Sequence, residues 1–181
     1  MIPPNAPQAS SGHNSSLDIQ LASTIGWGDG HHPTTYLSLA FLADYIPSRE
    51  GMTVLDYGTG SGVLAMAARR LGSGRVVGID IDDEALDAAF ENLELNGMSE
   101  EEDVVLKHTR EVIQDAYGII LRDDARGRTL QFDVVVANIL IGPLIKLAPV
   151  LSMAVKEGTG ALCLCGLRQE QIPDIEEAYK R

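Results

Sequence analysis

Cysteine is scarce in this chain, basic residues are few, and no apolar run is long enough to span a bilayer. Only two cysteines occur in 181 residues, Cys163 and Cys165. They stand two apart in an apolar segment, so on a strand they share a face, and same-face neighbours make a poor disulfide. No cluster of Cys and His completes a zinc set, so no metal site is expected. The pair reads as buried, inert thiols of a reducing compartment. No stretch reaches the roughly 18–20 apolar residues that cross a membrane. Lys and Arg number 14 against 26 Asp and Glu, giving a formal net charge of −12. Between Asp80 and Asp103 there is no Lys or Arg at all. A nucleic-acid track requires the opposite sign, so direct binding of nucleic acid is not expected. The acidic stretch, densest at Glu100-Glu101-Glu102-Asp103, suits either a basic partner or a solvated face.

Residues 1–16 are rich in Pro, Ser, Asn and Ala and contain neither Lys nor Arg. They read as a disordered leader and match neither a signal peptide nor a transit peptide. A cytoplasmic protein is the expectation, with mitochondrion or plastid as the alternative should further sequence precede Met1. Residues 17–181 read as one domain.

That domain alternates two patterns. Thr53–Tyr57, Arg75–Ile81, Val104–Thr109, Phe132–Ile139 and Gly160–Gly166 are short apolar runs, which suit strands buried on both faces of a parallel sheet. Between them lie helical patterns. Ser61–Leu71 stops at Gly72, and Asp83–Asn96 carries Ala85, Leu86, Ala89, Phe90 and Leu93 on one stripe. Pro143–Val155, which Pro149 should kink or split, and Arg168–Tyr179 are further helices. Such alternation predicts a doubly wound α/β fold. Asp115–Gln131 reads as a partly polar loop inserted ahead of the fourth strand.

The first strand runs into Asp56-Tyr57-Gly58-Thr59-Gly60-Ser61-Gly62. Three alternate glycines let a ligand approach the backbone, and the next helix aims its positive end at the turn. A dinucleotide motif wants its third glycine at position 63, which is valine here. The pattern D-x-G-x-G-x-G belongs instead to S-adenosylmethionine-dependent methyltransferases of the Rossmann-like class. That cofactor has no pyrophosphate to clasp, and its ammonium is favoured by an acid such as Asp56. Asp80 ends the second strand, where a carboxylate can take both ribose hydroxyls; capping of the next helix is the competing role for Asp80, Asp82 and Asp83.

Two more stretches narrow the class. Trp27-Gly28-Asp29-Gly30-His31-His32-Pro33-Thr34-Thr35 lies upstream, and Val135-Val136-Ala137-Asn138-Ile139-Leu140-Ile141-Gly142-Pro143-Leu144 downstream. With the glycine turn, the Gly78–Asp82 strand end and the Asn92–Gly97 helix end, they resemble the family of the methyltransferase of large-subunit ribosomal protein eleven. That family methylates protein lysines and α-amines. The enzyme acting on the electron transfer flavoprotein β subunit is a cousin.

The resemblance covers roughly residues 19–180 and implies a Rossmann-like class I methyltransferase fold with S-adenosylmethionine as cofactor. It also implies a protein substrate, in the first place a ribosomal protein. Thr35, Asp56, Gly58, Gly60, Gly62, Asp80 and Asn138 become the cofactor-binding set, and Asn138 also the catalytic contact to the amine. On the residues alone, Thr34 and Thr35 could equally cap the helix that follows Pro33. The chain departs from the family at Trp27 for Phe, Asp29 for Thr and Thr59 for Cys. It also carries no N-terminal recognition domain and stops five strands into an expected seven, so an incomplete domain with one exposed apolar edge and weak stability is expected. A cofactor-binding remnant without turnover is the second reading. A methyltransferase for RNA or a small molecule is the third, disfavoured because Ile139-Leu140-Ile141 replaces the N-P-P-[YF] aromatic stack.

Overall fold

The computed structural model describes residues 18–22, 32–47, 51–100, 102–109, 122–123, 128–129 and 131–180. The leader and residues 23–31, with most of the upstream motif, lie outside them. Helix α1 (Pro33–Tyr45) carries proline in its first turn, where a missing N–H costs nothing. Then come β1 (Thr53–Tyr57), α2 (Val63–Arg70), β2 (Arg75–Asp80), α3 (Asp83–Leu95) and β3 (Val104–His108). Within the segment read as a loop, β4 (Arg122–Asp123) and β5 (Arg128–Thr129) pair antiparallel. Strands of two residues hold too little alternation to be visible in sequence. The chain continues through β6 (Val134–Asn138), α4 (Ile141–Lys146), α5 (Ala148–Ala154), β7 (Ala161–Cys165), a 3-10 turn at Gln169–Gln171 and α6 (Ile172–Tyr179).

The five long strands form one parallel sheet in the order β3-β2-β1-β6-β7. All five stand where the apolar runs predicted them. Pro149 does split its helix: α4 and α5 meet at Leu147, because a proline cannot supply the N–H that would continue the first into the second. Helix α2 begins two residues later than its pattern suggests, since Gly62 adopts φ 77° and so closes the turn instead of opening the helix.

Alternation along the strands divides the interior into two layers. Val54, Val76, Val134 and Val136 pack with Leu42, Leu64, Met66 and Leu93 on the α1–α3 side. Leu55, Val77, Ile79 and Val135 pack with Leu144, Leu151 and Ile175 on the α4–α6 side. Each such buried aliphatic stabilises the fold by about 1.5–3 kcal/mol. The same period of two sends Asp56, Asp80 and Asn138 to the α1–α3 side, at or near the carboxyl ends of adjacent strands. The order reverses at β1, with β2 and β3 on one hand and β6 and β7 on the other. In open α/β sheets the crevice at such a reversal is where ligands bind.

Two sequence expectations change. Phe90 is exposed, and Asn92 takes the buried place on the α3 stripe. Cys163 and Cys165 are partly exposed instead of buried; among the described residues none pairs with the outer side of β7. No helix among the described residues is long and apolar enough to cross a membrane.

At the opposite end of the sheet Asp133 clamps three elements. Its carboxylate accepts from Thr53 N and Oγ1, each at 2.8 Å, and from Lys156 Nζ at 2.8 Å. Partial burial raises this carboxyl, but the Lys156 and Thr53 bonds outweigh it and hold it below its ordinary value. Asp133→Ala should therefore cost about 2 kcal/mol in chemical denaturation at neutral pH. A depressed carboxyl contributes stability above its ordinary value of 3.8 and loses it as pH falls below. The cost should therefore shrink on acidification; a cost that does not change between pH 7 and pH 2 would contradict the clamp.

Candidate functional site

The site grows from the end of β1. The chain leaves the sheet after Tyr57 and turns through Gly58, Gly60 and Gly62, with φ of 77°, 53° and 77°. Side chains resist that region of backbone space. Gly58 has a further reason to lack a side chain, because a Cβ there would stand 2.2 Å from Ile139 Cγ2, just past β6. The turn thus sits against the crevice between β1 and β6.

Most of its amides are already committed. Gly58 N and Thr59 N donate to Ile79 O at 2.8 and 2.9 Å, and Gly62 N donates to Thr59 O at 2.9 Å. Gly60 N donates to Asp80 Oδ2 at 2.9 Å. The other Asp80 oxygen accepts from Ile81 N at 2.7 Å and Asp82 N at 3.1 Å, so one carboxylate ties the turn after β1 to the turn after β2. Capping of α3 belongs to Asp82, whose side chain accepts from Glu84 N at 2.9 Å.

Asp56 lies beneath the turn with no exposure. Its Oδ2 accepts from Thr59 Oγ1 at 2.8 Å and from Ala65 N at 3.1 Å, so it fills the start of α2 that would otherwise attract an external anion. Asp56 Oδ1 and the nearby Ser61 Oγ are buried without a partner. Burial pushes the Asp56 carboxyl up to about 7; the Thr59 and Ala65 bonds oppose this and the charge of Asp80 adds to it. Burial also raises the Tyr57 phenol, again with Asp80 adding.

On the far side of the crevice the two outlying motifs meet. Asn138, at the end of β6, donates from Nδ2 to Thr35 Oγ1 at 3.4 Å across 103 residues of sequence. Thr35 is buried in the first turn of α1. It is not the cap, and neither is Thr34: His32 caps the helix, its Nδ1 facing Thr34 N at 3.3 Å and Thr34 Oγ1 at 2.7 Å. Among the described residues no group of three His, Cys, Asp or Glu side chains could hold a metal ion.

One supporting role was not read from the sequence. Asn92 is wholly buried on α3, donates to Ser61 O at 2.9 Å and accepts from Ala22 N at 2.7 Å. It holds the glycine turn against the segment entering the domain. Its partners lie 31 and 70 positions away, so the sequence showed it only as the first residue of the Asn92–Gly97 helix end and as a polar residue on an apolar stripe.

This donor set fits a ligand with a cationic tail and vicinal hydroxyls. A pyrophosphate suits it less, because most of the turn's amides and Ala65 N at the α2 start are engaged from within and the free buried oxygens beneath them are acidic or hydroxylic.

Comparison with known proteins agrees with the resemblance. The profile of the family described as ribosomal protein L11 methyltransferase matches residues 1–181. The chain is similar to the ribosomal protein L11 methyltransferase of Methylobacillus flagellatus, at 40% identity over 91% of this chain and 48% of that protein. It is also similar to that of Alteromonas mediterranea, at 40% identity over 92% of this chain and 50% of that one. Among solved structures, the ribosomal protein L11 methylase of Lactobacillus delbrueckii subsp. bulgaricus superposes with a TM-score of 0.65 at 36% identity, covering 82% of this chain and 68% of that one. The chain spans about half the length of the curated relatives it matches.

Asp56→Asn tests the electrostatics beneath the turn, since an amide oxygen can accept from Thr59 and Ala65 in the same place. Between pH 3.8 and about 7 the folded wild type keeps the Asp56 proton that the unfolded chain has released, so this group lowers stability as pH rises through that window. The variant should be more stable than wild type at pH 8, by up to about 4 kcal/mol, with the difference vanishing near pH 4. Parallel pH profiles for the two proteins would contradict a buried, proton-holding Asp56.

Proposed function

The chain belongs to the ribosomal protein L11 methyltransferase family, and from that premise we propose that it binds S-adenosylmethionine and methylates an amine of a ribosomal protein. The acceptor is a lysine side chain or an N-terminal amine, and the proteins it resembles are named for ribosomal protein L11. The single observation that carries this reading is the meeting of Asn138 with Thr35 beside a glycine turn most of whose amides are engaged internally.

When bound, the cofactor supplies a sulfonium methyl group. Gly58, Gly60 and Gly62 give it a surface free of side chains. Asp80 accepts from the ribose hydroxyls, and its present bond to Gly60 N fixes the orientation of that carboxylate. Asp56 supplies negative charge beneath the amino-acid tail. A cation there stabilises its ionised form, so donor affinity should rise as pH increases through about 7.

Asn138 serves the acceptor. With its Nδ2 engaged by Thr35, its carbonyl oxygen is left to accept from the incoming amine and point the lone pair at the methyl group. Methyl transfer is an in-line displacement, for which such positioning is the main requirement. A lysine begins near pKa 10.4 and must arrive neutral. The apolar residues that follow Asn138, with Leu140 strongly exposed, give it a surface on which desolvation lowers that value.

Isothermal titration separates the cofactor classes: heat is expected with S-adenosylmethionine and none with NAD. Asp80→Ala should weaken donor binding about tenfold, some 1.4 kcal/mol. Asn138→Ala should leave binding within a few-fold but slow methyl incorporation into ribosomal protein L11 about hundredfold. Binding without any transfer by the wild type would contradict the enzyme reading and favour a cofactor-binding protein without turnover. Binding of NAD alone would contradict both.

A further inference from the structure

The residue after Asn138 is gripped from two sides by glycines. Gly58, in the turn after β1, and Gly166, just past β7, both take left-handed backbone, with φ of 77° and 82°. A Cβ on Gly58 would stand 2.2 Å from Ile139 Cγ2. A Cβ on Gly166 would stand 2.3 Å from Ile139 O and 3.1 Å from Ile139 N. One glycine therefore leaves room for the side chain of Ile139, and the other leaves room for its backbone.

The sheet explains why such a grip matters here. Pairing of β6 with β7 continues to Asn138, opposite Cys165, but pairing of β6 with β1 ends one residue earlier, at Ala137 opposite Tyr57. Beyond that pair the ladder no longer fixes the gap between the end of β6 and the glycine turn. Ile139 Cγ2 fills the gap instead. Ile139 packs against the α4–α6 layer, and α4 begins two residues later, anchored by the fully buried Leu144. Close-packed contacts of this kind yield little and pass on any displacement.

We propose that Ile139 is a positioning residue whose Cγ2 methyl is the spacer between the glycine turn and Asn138, so that it sets the separation of methyl donor and acceptor amine. The role rests on the function proposed above, because that reading places the donor on the turn and the amine on Asn138. Ile139 acts through Asn138, one peptide bond away. The side chain of Asn138 is held independently by Thr35, so its position is set from α1 on one hand and from Gly58 on the other. In-line transfer is sensitive to that separation, since a misplacement of about 1 Å costs about a hundredfold in rate.

The spacer makes a demand on shape as well as on volume. Valine keeps the branch at Cβ and hence a methyl against Gly58. Leucine matches isoleucine in volume but has no branch at Cβ. A side chain that merely filled the core would tolerate leucine about as well as valine.

Ile139→Val, Ile139→Leu and Ile139→Ala are compared with the wild type in three measurements. In methyl incorporation into ribosomal protein L11, Ile139→Val should keep kcat within about twofold, whereas Ile139→Leu and Ile139→Ala should lower it about tenfold or more. Donor Kd by calorimetry and acceptor KM should stay within about threefold throughout, because the turn is held by Asp56 and Asp80. In the ligand-free chain, the side-chain amide signals of Asn138 in nitrogen-15 NMR should match wild type for Ile139→Val and shift for the other two. In chemical denaturation, Gly58→Ala should lower the midpoint, and adding Ile139→Ala, which removes Cγ2, should recover part of that loss.

A leucine variant as fast as the valine variant would overturn the proposal. So would Asn138 signals that ignore all three substitutions, or losses at Gly58 and Ile139 that simply add. Should Gly58→Ala fail to fold alone, the valine–leucine comparison and the Asn138 signals still decide. A wild-type chain that binds donor and transfers nothing would tell against the functional reading alone, since the ligand-free signals and the denaturation cycle still decide whether Ile139 sets the gap.

Discussion

Everything at the functional edge depends on two carboxylates of neighbouring strands closing one glycine turn. Asp56 reaches up from β1 to hold Thr59 and the start of α2, and Asp80 reaches across from β2 to hold Gly60. Without them a loop with three positive-φ glycines would keep only its backbone bonds to Ile79 O and Thr59 O, and glycine gives up the most freedom on ordering. Asn92 completes the closure from α3 through Ser61 O. The energetic cost falls on Asp56, a carboxyl with one oxygen unpaired in a dry place. A group left in that state costs stability unless a partner arrives.

That closure also determines what can be bound. In a dinucleotide site the turn and the helix after it offer free amides to a pyrophosphate. Here most of the corresponding donors are used within the protein, and acids lie beneath and beside the turn. The parallel sheet then does the rest by geometry. A period of two places Asp56, Asp80 and Asn138 on one side, and the reversal of strand order at β1 opens a gap beside them. Asn138 and Thr35 meet there because β6 lies next to β1 and α1 covers that side of the sheet. The chemistry proposed for them is positioning.

The strands were legible because each is a run of apolar residues buried on both faces, a signal that needs no knowledge of partners. The glycine turn was legible because its spacing is dictated by backbone conformation within seven residues. Asp80 was legible as a strand-end acid distinct from a cap, and the separate cap at Asp82 bears that out. What stayed hidden depends on distant partners. Asn92 replaced Phe90 inside because its amide meets groups 31 and 70 residues away, which no stripe of hydrophobicity encodes. His32 displaced the threonines as cap because a ring nitrogen can do a hydroxyl's work, a choice local propensity does not rank. The cysteines looked buried since their segment is apolar, but no described residue pairs with the outer side of β7, and which strands neighbour it is a property of topology.

The account turns on which ligand the closed turn accepts and how it is oriented. The most direct measurement is a crystal structure of this chain with S-adenosylhomocysteine. The account expects the amino-acid tail over Gly58–Gly62 above Asp56, the ribose hydroxyls on Asp80, and the sulfur facing Asn138. A ligand seated away from the β1–β6 crevice, or one whose ribose ignores Asp80, would contradict it.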